Sequence, residues 1–126
     1  MHRTRLYGLF VDAPRTEADA AVTFWAAALG ATPKPDADGT YHALPGAAGT
    51  ELAMEVQAVD DAPRYHLDIE TDDVPAEVDR LVALGATEET RHDGWVVLRA
   101  PGGHLVCVVP VQSDPEFFTA HARRVG

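Results

Sequence analysis

Apolar residues gather along the chain in short runs of two different periods. Leu6 to Val11 is a continuous apolar run with β-favouring Tyr, Phe and Val, so it reads as a strand. Behind it, Val22, Trp25 and Leu29 recur at the spacing of one helix face. Thr16-Glu17-Ala18-Asp19 resembles a capping box at the start of that helix, and Gly30 stands where a helix-ending glycine is expected. Thr40 to Leu44, after the Asp38-Gly39 turn, and Glu51 to Val59 read as strands. In the second of these, Glu51, Ala53, Glu55 and Gln57 share one face, and Leu52, Met54 and Val56 share the other.

The second half follows the same order. Tyr65 to Thr71 alternates, with Tyr65, Leu67 and Ile69 on one face and His66, Asp68 and Glu70 on the other. Asp73 is placed to cap a helix with Pro75 in its first turn; Val78, Leu81 and Val82 form its apolar stripe, and Gly85 ends it. Trp95 to Arg99 is a strand, Pro101-Gly102-Gly103 a turn, and His104 to Val111 a β-branched strand. A last helix, about 114–124, opens at Ser113-Asp114-Pro115-Glu116, where Ser113 and Glu116 fit a capping box.

The two halves share more than their order. Leu29-Gly30-Ala31-Thr32 returns as Leu84-Gly85-Ala86-Thr87, and Asp38-Gly39 returns as Asp93-Gly94, both at an offset of 55 residues. Two matches at one offset point to a duplicated supersecondary unit whose half-cores complete each other. The expected organisation is one domain over residues 1–126, built of modules at about 4–59 and 64–111.

Composition narrows the function classes. The chain has 126 residues and a net charge of −10. Such acidity argues against nucleic acid and against anionic membrane surfaces as partners. No apolar run approaches the length of a transmembrane span or a signal peptide. The single cysteine, Cys107, cannot form an internal disulfide and suits a reducing cytoplasm. No nucleophile elbow, Walker loop, CxxC pair or GxGxxG occurs.

Phe24-Trp25 running into Leu29-Gly30, His66-Leu67-Asp68, Val82-Ala83-Leu84-Gly85-Ala86 and the closing Ala100-Pro101-Gly102-Gly103-His104-Leu105-Val106-Cys107 resemble the vicinal oxygen chelate superfamily. That group includes glyoxalase I, bleomycin-resistance proteins and extradiol dioxygenases. The closing stretch resembles the D-P-x-G-N element, with Ala100 and His104 in place of Asp and Asn. The resemblance implies an α+β fold in which two βαβββ modules form a curved mixed sheet around a cleft. It also implies a small organic molecule as partner, a homodimer, and in the catalytic members a divalent metal.

Carried over residue by residue, the resemblance implies metal positions at His66, at Cys107 where Glu is usual, and at Glu55 in the first module, with Glu51 sharing its facing. Tyr7 falls on the remaining position, and its phenol is a poor ligand at neutral pH. His66 and Glu55 are the candidate catalytic groups. Tyr7, Tyr41, Asp68, Trp95 and Cys107 are candidate ligand contacts, since aromatic walls with a few polar groups suit an organic molecule. The incomplete ligand set favours a metal-free binder of the bleomycin-resistance type. The alternative is a lyase, isomerase or dioxygenase using Zn, Ni, Mn or Fe. A third possibility is a metal-free acid/base enzyme using Glu55, Asp68 or His66.

Overall fold

In the computed structural model, which describes residues 1–126, the element order β-α-β-β-β occurs twice, followed by a short helix and strand. The chain divides into two compact units, Gly8–His66 and a second made of Met1–Tyr7 with Leu67–Gly126. Parallel and antiparallel pairings coexist, so the class is a mixed α+β fold with three helices.

Strand β1 (His2–Pro14) is longer than its apolar run, and from Gly8 onward it belongs to the first unit. There it runs parallel to β4 (Ala53–Val59), which pairs antiparallel with β3 (Tyr41–Ala43) and through it with β2 (Lys34–Pro35). Helix α1 (Ala18–Leu29) is rich in alanine, the strongest helix former. It is not opened by the expected capping box. A 3-10 turn at Arg15–Glu17 leads straight into it, and Glu17 makes no side-chain cap bond. Gly30 closes it in the left-handed conformation, φ 68°. Val22 and Ala26, one turn apart, are buried with Val11, Ala13, Leu44, Met54 and Val56. The apolar stripe is thereby rotated from its expected line: Trp25 is half-buried and Leu29 exposed. Gly8 is required by close approach, because a Cβ there would stand 2.5 Å from the Ala53 carbonyl oxygen. Glu51 lies outside β4, while Glu55 lies within it.

In the second unit, β5 (Arg64–Thr71) runs parallel to β8 (Leu105–Pro110) from Leu67 onward. β8 pairs with β7 (Trp95–Arg99) and β7 with β6 (Thr87–His92), both antiparallel. Helix α2 (Val74–Ala83) opens as expected, with the Asp73 carboxylate accepting the Ala76 amide at 3.0 Å. Val78 is buried with Val96, Leu98 and Val108, whereas Val82 is exposed. Helix α3 (Pro115–His121) is capped by Asp114, which accepts the Glu116 and Phe117 amides, one residue later than the Ser113 cap expected. It is also shorter than expected: Arg123–Val125 form β9, paired with His2–Thr4. Phe118 seats α3 in this unit. No helix is long and apolar enough to cross a membrane.

Two fully buried carboxylates tie the second unit together. Glu77 of α2 is bonded by His2 Nε2 at 2.7 Å, Thr4 Oγ1 at 2.8 Å and both forks of Arg80 at 2.8 Å. Burial pushes its carboxyl up, but the hydrogen bonds from Arg80, His2 and Thr4 outweigh it and hold the pKa at about 2. Glu70 of β5 accepts the amides of Gln112 and Ser113, the Ser113 hydroxyl and the Arg5 guanidinium. Burial raises its carboxyl too, and the Ser113 and Gln112 amides with Arg5 hold it below the ordinary value.

Candidate functional site

The register of the first unit sorts its side chains onto two faces. Val11 opposite Val56 and Ala13 opposite Ala58 lie on the face buried with α1. Phe10 opposite Glu55 and Asp12 opposite Gln57 lie on the other, joined by Tyr41 opposite Gln57. The last residue of this unit, His66, comes to the same face. Its ring stacks on Phe10 with centroids 4.8 Å apart and planes 12° from parallel. Tyr41 meets the edge of the Phe10 ring at 6.2 Å. Three of the candidate residues, Tyr41, Glu55 and His66, are thus brought to one face, around a ring that sequence reasoning had not singled out.

Asp12 is the other residue that reasoning missed. It is 2 % exposed, and its Oδ2 lies 2.8 Å from His66 Nδ1 and 3.2 Å from Arg64 Nε. An ionised carboxylate only accepts hydrogen bonds. With Asp12 accepting, the proton of this contact sits on His66 Nδ1. The carboxylate and the Phe10 ring together fix both the tautomer and the plane of the imidazole. Arg64, about half exposed, is held between Asp12 and Asp61.

The second unit presents its own polar pair. Asp68 of β5 stands opposite Cys107 of β8, and Cys107 stands opposite Val97 of β7. Asp68 and Cys107 are both buried, and a carboxylate oxygen lies within 4.8 Å of the sulfur. Ile69, Val108 and Val96 alternate to the opposite face, where Val96 and Val108 join the core. Trp95 lies two residues before Val97, on its face, and its ring stacks on His92 at 3.9 Å. Tyr7 is half-buried at the end of the portion of β1 that belongs to this unit. The polar face of β5 is therefore the buried one: Asp68 and Glu70 are enclosed while Tyr65 and Leu67 are exposed.

Imidazole, carboxylate and thiolate are the donor types that zinc takes, and Cys suits zinc better than it suits a non-haem iron site. Glu55, half-buried on β4 opposite Phe10, adds a carboxylate to that face.

Comparison with known proteins agrees with the fold. The family model described as a glyoxalase-like domain matches residues 8–109. An uncharacterised protein of Bacillus halodurans has a similar structure, at 12% identity and a TM-score of 0.64, covering 88% of this chain and 96% of that one. Methylmalonyl-CoA epimerase of Mycobacterium tuberculosis is similar over 86% of this chain and 88% of its own, at 16% identity and a TM-score of 0.54. The 2,2',3-trihydroxybiphenyl 1,2-dioxygenase of Sphingomonas wittichii is similar over 93% of this chain and 45% of its own, at 13% identity and a TM-score of 0.58. At these identities the likeness is one of fold. No curated protein matches the sequence at a significant level.

Proposed function

The chain belongs to the glyoxalase-like family of the vicinal oxygen chelate superfamily, and from that premise we propose that it binds a small organic molecule, in the manner of the bleomycin-resistance proteins. The contacts are Phe10, Tyr41, Glu55 and His66 in one unit and Tyr7, Asp68, Trp95 and Cys107 in the other. The observation that carries the reading is the Asp12–His66–Phe10 stack. It provides an apolar wall and one oriented polar atom on the same face, which is how small-ligand sites combine affinity with orientation. The net charge of −10 favours a cationic or neutral ligand over an anionic one. The protein acts as a homodimer in the cytoplasm on this reading, and Cys107 stays a thiol.

The test is a thermal-shift and calorimetric screen against cationic glycopeptide and aromatic antibiotics. Saturable binding to the native chain, weakened by His66→Ala, supports the proposal. Absence of binding by every compound overturns it.

A second reading is favoured by the Asp68–Cys107 pair. On this reading the protein is a metal-dependent lyase, isomerase or dioxygenase. Glu55, His66 and Cys107 hold a divalent ion, with Asp68 as a further oxygen donor. The ion, when bound, supplies Lewis-acid polarisation of vicinal oxygens on the substrate. Of the chain's own residues, Asp12 orients the His66 ring through Nδ1, and Glu55 takes up or returns a proton. Elemental analysis of protein purified without chelator decides it. Stoichiometric metal that Cys107→Ser releases supports it, and a metal-free protein that takes up no zinc, nickel, manganese or iron(II) overturns it.

A further inference from the structure

A cleft of about 430 Å³ lies between α1, the end of β1 and the start of β5, wholly within the Gly8–His66 unit. None of Phe10, Tyr41, Glu55 or His66 lines it; Asp12, which bonds His66, borders it. Its walls are aromatic. Phe24 and Tyr65 are each 61% exposed, and Trp25 stands perpendicular to Phe24 with centroids 5.2 Å apart. Rings that fold into a cleft and remain in water leave apolar area which nothing in this unit covers. The volume lies within the range of pockets that enclose small organic ligands.

The charge around the cleft has one sign in excess. Asp12, Glu17 and Arg64 line it. The Arg64 guanidinium is already matched by Asp12 at 3.2 Å and Asp61 at 2.9 Å. Asp12 keeps its second oxygen, Oδ1, buried without a hydrogen-bond partner. Glu17 has no basic neighbour within ion-pair distance. The local balance is negative, in a chain of net charge −10. Aromatic faces beside uncompensated carboxylate are the chemistry that recognises organic cations, through stacking and cation–π attraction.

The geometry points to a second binding site here, for a flat aromatic cation that stacks on Phe24 and Tyr65 with its charge toward Glu17. This site shares Asp12 and Arg64 with the surroundings of His66, but its ligand contacts, Phe24, Tyr65 and Glu17, are none of those of the proposed function, so the two are tested separately. The test is amide and indole chemical-shift mapping by NMR with N-methylacridinium as probe. Its uncharged parent acridine, in mildly alkaline buffer, is the control.

The expected result is saturable shifts at Glu17, Phe24, Tyr65 and the Trp25 indole. Phe24→Ser should weaken binding by about tenfold, equivalent to about 1.4 kcal/mol, and Glu17→Gln should narrow the preference for the cation. Three results overturn it: no saturable shift at these residues, equal binding of acridine, or binding that survives Phe24→Ser and Tyr65→Ser together. Sedimentation of the same samples adds a fourth. A dimer that Phe24→Ser converts to monomer assigns the exposed rings to a second copy of the chain and removes the site.

Discussion

Replacing Glu77 by Gln tests whether its buried carboxylate holds the start of β1 to α2. The carboxyl is fully buried and receives bonds from His2, Thr4 and Arg80. Its pKa falls from 4.5 to about 2. At 1.36 kcal/mol per unit, that shift corresponds to about 3 kcal/mol of folding stability. The folded-state pKa is the lower one, so the stabilisation is fully present above the unfolded value. It is lost as pH falls through the window from 4.5 to about 2.

Urea unfolding followed by circular dichroism, repeated across this window, measures it. Native protein should exceed E77Q by about 2–3 kcal/mol at neutral pH, because glutamine keeps the shape but leaves Arg80 without its counter-charge. The gap should close toward the acid end, where the native carboxyl is also protonated. Glu70 is present in both proteins, so its own acid sensitivity cancels in the difference. A gap below about 0.5 kcal/mol at neutral pH, the scatter of ordinary surface substitutions, refutes the reasoning. So does a gap that stays constant down to the folded pKa.

Other substitutions test the remaining contacts. Gly8→Ala forces a Cβ to 2.5 Å from the Ala53 carbonyl and should cost about 1–3 kcal/mol by parting β1 from β4, read as a lowered melting temperature. Asp12→Asn should weaken the preference for the Nδ1–H tautomer of His66 by replacing a charged acceptor with a neutral amide, visible in long-range 15N–1H NMR of the imidazole. It should also lose about 1–3 kcal/mol for one charge-assisted buried bond; unchanged stability and tautomer populations would refute the role given to Asp12.

What could be read from the chain depended on whether a residue's neighbours lie near it in sequence. The βαβββ order was legible because Gly30 and Gly85 mark helix ends and because Trp95–Arg99 and Tyr65–Thr71 carry strand patterns of their own. Strand β6 escaped notice because Thr87–His92 is polar and exposed on both faces, so it has no alternation to detect. Ser113 looked like a helix cap because capping is a local pattern. Its hydroxyl instead serves Glu70, whose position 43 residues away no local pattern encodes. Asp12 escaped for the same reason. It follows an apolar run and reads as the end of a strand, but β1 continues to Pro14 and buries it against His66, 54 residues on.

These long-range partners also change the meaning of the acidic composition. Asp12, Asp68, Glu70 and Glu77 are buried. Glu70 and Glu77 join separate segments within their unit, and Asp12 orients an imidazole. Part of the −10 charge is therefore internal wiring that a ligand in solvent does not meet directly. The part that does face solvent beside exposed aromatic rings is local to the α1 cleft, at Glu17. The preference for cations at this cleft should accordingly respond to Glu17→Gln and be indifferent to Glu77→Gln, although both substitutions change the net charge equally.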